Sequence, residues 1–215
     1  MAASLTVAEY LLPRWLVALR RDRPGTAVSL TRRNSDDVAA DVRSGAADVG
    51  FVEGPEVPDD LDAQVVATDR LTLVVAPDHP WATRRRVDAA RLATTPLVSR
   101  ESGSGTRSFL EHAVAARGVG ALVDPVLELA STTAIKGAAA DGVGPAVLSS
   151  LAVAGDLAAG TLVAVPVTGI ALDRRLAAVW PRGRPLTGPA AELVALAARR
   201  APVSGHGNAR PRTEP

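Results

Sequence analysis

The sequence predicts an α/β protein of two Rossmann-like lobes joined by two crossover strands. Three observations carry this expectation. Strand–helix–strand order occurs twice, once before and once after Pro77-Asp78-His79-Pro80, and that order implies parallel strands with right-handed crossovers. An apolar strand at residues 172–180 follows the second unit and returns the chain toward the first. The 215 residues, 47 % of them hydrophobic, suffice for two compact lobes.

Taken in order, Thr6 and Glu9 form a capping-box pattern, and Val7, Leu11, Leu12, Trp15, Leu16 and Leu19 recur at helical spacing. Pro13 removes the hydrogen bond to the Glu9 carbonyl and should bend the first turns, and Pro24-Gly25 ends the helix. Residues 27–32 alternate as a strand with Val28 and Leu30 on one face. Asn34 then caps a second helix with Asp36 and Asp37 in its first turn and Val38 and Val42 as its apolar stripe. Residues 48–52 read as a buried strand, 54–60 as a loop, and 63–67 and 71–76 as two more strands. The second unit comprises a strand at 97–99, a glycine-serine loop at 102–105 and a helix at 107–116. A strand at 123–129, a helix at 131–140, a strand at 144–148, a short helix at 150–154 and a strand at 162–165 follow. A last helix runs over 189–200. Residues 1–76 and 170–202 are thus assigned to lobe one, 77–169 to lobe two, and 203–215, which offer nothing to bury, to a disordered tail.

Composition narrows the chemistry. The chain has no cysteine, which removes disulfides, thiolate metal sites and thiol nucleophiles. His79, His112 and His206 lack a second histidine at i+3 or i+4, so no metal and no cofactor is expected. A hydrolase elbow is missing, because Glu101-Ser102-Gly103-Ser104-Gly105 has glycine where the nucleophile should be. The same loop has no lysine after its second glycine and is no P-loop, so an enzyme is not expected. Net charge is +1, without the basic excess of a duplex-binding surface. No leader or span-length apolar run is visible, so no membrane partner is expected and the location is read as cytoplasmic.

Ligands of open α/β sheets sit at the carboxyl ends of the strands, beside helix N-termini. With two lobes that place becomes a cleft, and the polar residues opening each helix are its candidates. They are Ser4 and Thr6; Asn34 and Ser35; Arg100, Ser102, Ser104, Gly105 and Thr106; and Ser131 and Thr132. Helix N–H groups favour an anion such as a carboxylate, and Arg100 offers a fork for one. Each group also has a plain structural reading, since Thr6, Asn34, Ser104 and Ser131 can simply be caps.

Tyr10-Leu11-Leu12-Pro13, Pro24-Gly25, the 45–51 string Gly-Ala-Ala-Asp-Val-Gly-Phe, Pro77-Asp78-His79-Pro80 and the 141–148 string beginning Asp141-Gly142 stand in a recognisable order and spacing. By these segments the chain resembles the effector-binding domain of LysR-type transcriptional regulators, over nearly its whole length. The resemblance implies a periplasmic-binding-protein type 2 architecture, a small-molecule effector bound between the lobes, and a homo-oligomer, dimer or tetramer. It also adds Glu53, at a position lining the family's cleft, to the candidates. The family's winged helix and most of its first strand would precede Met1. DNA contact is therefore expected only through a part not present here, and Met1 to Ala3 are expected to leave a strand position in lobe one poorly filled. The alternative is the solute-binding protein of an ABC-type importer.

Overall fold

The computed structural model describes residues 1–199, so the expected tail lies outside the described residues. Lobe one opens with three short strands, β1 (Ala2–Ser4), β2 (Thr31–Arg33) and β3 (Gly50–Val52), alternating with α1 (Leu12–Asp22) and α2 (Ser35–Arg43). β4 (Leu61–Val75) leads into lobe two, which holds β5 (Val87–Asp88), α3 (Ala89–Ala93), β6 (Val98–Arg100), α4 (Gly105–Ala116) and β7 (Leu127–Leu129). It continues with α5 (Thr132–Ala140), β8 (Ala146–Ser149), α6 (Ser150–Ala159), β9 (Val163–Val165) and β10 (Val167–Thr168). β11 (Asp173–Pro181) returns, and α7 (Gly188–Arg199) ends the described chain. The main sheet has the order β2-β1-β3-β11-β4-β8-β6-β7, with β9 also against β4.

β4 is one strand where two were expected. Its residues 61–70 pair antiparallel with β11, while 71–74 pair with β8 and 73–75 with β9. The charged step Asp69-Arg70 stays in the ladder because Arg174 and Asp173 stand opposite it. β4 thus changes partners at Arg70/Leu71, ahead of the Pro77 boundary read from the sequence. The small pair β5-β10 was not foreseen; two-residue strands have too short a period to read.

Helices cover both faces of the lobe-one sheet. On one face α1 and α7 bury Leu12, Trp15, Leu193 and Val194 against Phe51 and Leu176, with the Trp15 and Phe51 rings 5.8 Å apart. On the other, Val38 and Val42 of α2 pack against Ala2, Val52 and Val179. Each such side chain contributes about 1.5–3 kcal/mol by leaving water. Gly50 permits this closeness, for a Cβ there would lie 2.6 Å from Val38 and 2.8 Å from Val42. Lobe two repeats the arrangement with Leu73, Leu92 and Leu110 on one side and Ile135, Ala146 and Leu148 on the other.

Three local expectations are corrected. The Thr6/Glu9 capping box does not form: Thr6 is already helical and its side chain caps nothing. A π-helical turn, Val7–Leu11, precedes α1, and the Leu12 N–H reaches back to the Val7 carbonyl. Pro13, with no N–H to give, sits at the start of α1, where its loss costs least. Secondly, β1 does fill the place between β2 and β3, pairing parallel with both. Thirdly, the strand expected over 27–32 is only Thr31–Arg33, and Val28 and Leu30 are exposed. Before Thr31 the pairing is reduced to Met1, whose amino group donates to the Ser29 carbonyl at 3.0 Å.

Candidate functional site

The carboxyl ends of β1 and β3 face the first turn of α4, and the lobes meet there. A Cβ on Gly105 would lie 2.5 Å from Ser35 Oγ and 2.7 Å from the Gly54 nitrogen, so the contact tolerates only glycine. The Asp36 N–H donates to the Gly103 carbonyl at 3.3 Å, which ties the glycine-serine loop to the start of α2.

Behind this contact lies a buried charge network centred on Arg174 of β11. Its Nε and Nη2 donate to Asp69 Oδ2 at 2.9 and 2.7 Å, and Nη2 lies 2.6 Å from Glu53 Oε2. Nη1 donates to Thr106 Oγ1 at 3.1 Å and Nη2 to Thr6 Oγ1 at 3.3 Å. Glu53 accepts from the Thr6 N–H at 3.2 Å and from the Thr106 hydroxyl at 3.2 Å. Its own N–H donates to Ser35 Oγ at 3.3 Å. Asp69 accepts from the hydroxyls of Ser149, at 2.9 Å, and Ser150, at 3.3 Å. Lobe one thus supplies Thr6, Ser35 and Glu53, the crossover strands Asp69 and Arg174, and lobe two Thr106, Ser149 and Ser150.

Arg174, Glu53 and Asp69 are all buried, so one cation faces two carboxylates away from water. Burial alone would raise the Glu53 pKa. The Arg174 charge, the Thr6 and Ser4 hydroxyls and the Thr6 N–H together outweigh it and hold the carboxyl below its usual range. Ser4 is close enough to contribute to that effect, yet its buried Oγ has no hydrogen bond of ordinary geometry.

Ser4, Thr6, Ser35, Glu53, Gly105 and Thr106 are therefore brought together. The others stand apart. Asn34 is an N-cap, its Oδ1 accepting from the Asp37 N–H at 2.8 Å, and the Ser131 Oγ accepts likewise from Ala134. Thr132 is buried in the first turn of α5 and Ser104 at the cap of α4, neither joined to Arg174, and Ser102 is exposed. Arg100, the expected fork, is buried and gripped by Glu101 through two bonds of 2.7 Å. Arg174, Asp69 and Ser149 were missed. Their signal was present in the charges that interrupt two apolar strands, Asp69-Arg70 and Asp173-Arg174-Arg175. Charges kept inside strands are buried only when paired.

The larger cavity, about 490 Å³, is not here but at the opposite end of the lobe-one sheet, lined by Met1, Val28, Val49, Trp180 and Leu193 among others. A smaller one, about 220 Å³, borders the interlobe contact at Ser35, Gly54, Pro55, Gly105 and Ser108. That is below the roughly 300–1,000 Å³ usual for a ligand pocket. Among the described residues no three His, Asp or Glu side chains group as metal ligands, and no helix is long and apolar enough to cross a membrane.

Two lobes strung on crossover strands, with polar groups from both converging between them, define the class: a bilobed small-molecule-binding domain of the type 2 periplasmic-binding-protein kind. Within it the chain belongs to the family of the LysR substrate binding domain, whose model matches residues 1–202. It is 47 % identical over 193 residues to an uncharacterized HTH-type transcriptional regulator of Mycobacterium tuberculosis (strain ATCC 25618 / H37Rv), covering 86 % of this chain and 62 % of that protein. It is also 41 % identical over 187 residues to the phosphonates import ATP-binding protein PhnC of Anaeromyxobacter dehalogenans, covering 85 % of this chain and 36 % of that protein. The chain thus spans less than two thirds of the length of these curated relatives. Among solved structures, the regulatory domain of CcmR from Synechocystis PCC6803, in complex with 2-PG, superposes with a TM-score of 0.79 at 27 % identity, covering 94 % of this chain and 98 % of that one. The chain is accordingly a LysR substrate binding domain, similar to the effector-binding domains of transcriptional regulators.

Proposed function

We propose that the domain senses a small carboxylate-bearing metabolite in the cytoplasm, binds it where Ser4, Thr6, Glu53 and Thr106 meet, and thereby controls transcription through the DNA-binding part of a longer, homo-oligomeric regulator. No catalysis is assigned to it. The lobes move about two hinge points, Asp69 to Leu71 in β4 and Leu172 to Arg174 at the start of β11. Ser35 and Gly105 border the same point, while Asn34, Arg100, Ser102, Ser104, Ser131 and Thr132 are left outside it. One observation carries the reading: side chains of both lobes bond to a single buried guanidinium between them. Such a point forms only when the lobes close, so whatever binds there reads their separation.

The test is calorimetric titration with a panel of small carboxylates against the chain and Ser4→Ala. Because the Ser4 hydroxyl makes no hydrogen bond of ordinary geometry within the domain, its loss should change thermal stability little. Binding should nonetheless weaken by about 0.5–1.5 kcal/mol, the worth of one buried hydrogen bond. Equal affinity in the two proteins would remove Ser4 from the site, and no binding across the panel would overturn the ligand class.

A further inference from the structure

Resting on the reading of this cleft as the effector site, we infer that the Glu53 carboxylate is a built-in occupant of the effector's anion position, which a ligand carboxylate must displace. The donors an anionic ligand would need are present and already engaged. The Thr6 N–H and the Thr106 hydroxyl donate to Glu53, and Arg174 Nη2 lies 2.6 Å from its Oε2. Arg174 does not need Glu53 to be neutralised, because Asp69 stands opposite it in the strand register, bonded through Nε and Nη2 and supported by Ser149 and Ser150. Glu53 is the surplus charge.

Charge decides the mode of entry. A ligand carboxylate added beside Glu53 would put three anions around one guanidinium, whereas exchange leaves the count at two. Ser4 places a buried hydroxyl beside this position, near enough to stabilise the Glu53 charge but without a hydrogen bond of ordinary geometry. Glu53 can also leave: it follows the last residue of β3 and precedes Gly54-Pro55, in a stretch of no regular structure. The cavity of about 220 Å³ borders that stretch. Glu53 does what the effector would do, joining the first turn after β1 to α4 between the lobes.

The experiment compares the chain with Glu53→Ala by thermal unfolding in sodium acetate, sodium chloride and acetamide at equal concentration. Acetate should raise the midpoint of Glu53→Ala by about 3 °C more than chloride does, by filling the vacated position. Acetamide, of the same shape without the charge, should not, and the parent chain should show no such preference. An acetate response in Glu53→Ala no greater than that to chloride, or equal in the parent, overturns the inference. Should Glu53→Ala fail to fold in chloride, refolding in acetate is expected and its absence counts against the inference. Glu53→Gln then provides the independent check, since it keeps the shape and removes the competing charge. Its affinity for acetate should rise roughly tenfold over the parent, about 1.4 kcal/mol, and an unchanged affinity overturns the inference. Rescue of Glu53→Ala by acetate while no metabolite binds the parent would sustain the built-in occupant and reject the proposed effector class.

Discussion

The three parallel strands of lobe one have two very different ends. At their carboxyl ends Ser4, Asn34 and Glu53 meet the other lobe, and nearly every buried polar atom is bonded. At their amino ends residues 26–30 have no strand beside them, and about 490 Å³ of space opens under Met1, Val28 and Val49. The larger space is the less specific one. Its lining mixes apolar side chains such as Val28, Val49 and Leu193 with Thr26, Ser29, Asp48 and Arg184, none of them joined in a buried ion network, whereas the tight end holds two carboxylates and a guanidinium out of water. The proposed ligand site is thus set apart by convergence of buried charges, not by volume.

Several substitutions would break or sharpen that contrast. The largest effect is expected from Arg174→Met, which leaves Glu53 and Asp69 buried without a cation. Removing one partner of a buried ion network costs about 3–5 kcal/mol, seen as a lower urea midpoint; a loss below about 1 kcal/mol would mean the network is not dry. Next, Gly105→Ala should force the lobes apart, because its Cβ would collide with Ser35 and the Glu53-Gly54 backbone. Overpacking of this kind costs about 1–3 kcal/mol, and small-angle scattering should show a larger radius of gyration.

A third, smaller effect is pH-dependent. The folded pKa of Glu53 lies below its ordinary value of 4.5, so its ionised form stabilises the fold above that value. This contribution is lost as pH falls from 4.5 through the folded pKa. Glu53→Gln should therefore show a flatter loss of stability between neutral and acid conditions; an identical pH profile would contradict the assignment. The smallest effect belongs to the other end of the strands. Val28→Thr, at an exposed position, should change stability by no more than about 0.5 kcal/mol. Amides at residues 26–30 should exchange faster than those of β2 and β3, and equal protection would show that something pairs with them.

The sequence exposes the alternating order of strands and helices because each element carries its own period, and Asn34, Ser131 and the apolar stripes of α1 and α2 stand where they were expected. Context decided the rest. Thr6 has the pattern of a cap, but the Glu53 and Arg174 groups brought to it from across the fold leave its hydroxyl to the guanidinium. Residues 27–30 alternate like a strand, yet a strand needs a neighbour, and pairing is not a local property. Arg100 looked like a ligand fork because Glu101 was not counted as its partner. Arg174 and Asp69 are far apart in the chain, and only the antiparallel register of β4 and β11 shows that they are one unit.

That register has a mechanical consequence. Arg174 and Asp69 sit on the two strands that join the lobes, so they lie at the pivot, while Thr6 and Thr106 sit out along the arms. Rotation of the lobes about that pivot would carry Thr106 away from the guanidinium and leave the Asp69 pair nearly at rest. The cation would keep one anion at every angle of opening, so no step of the swing would leave a bare charge in the hinge.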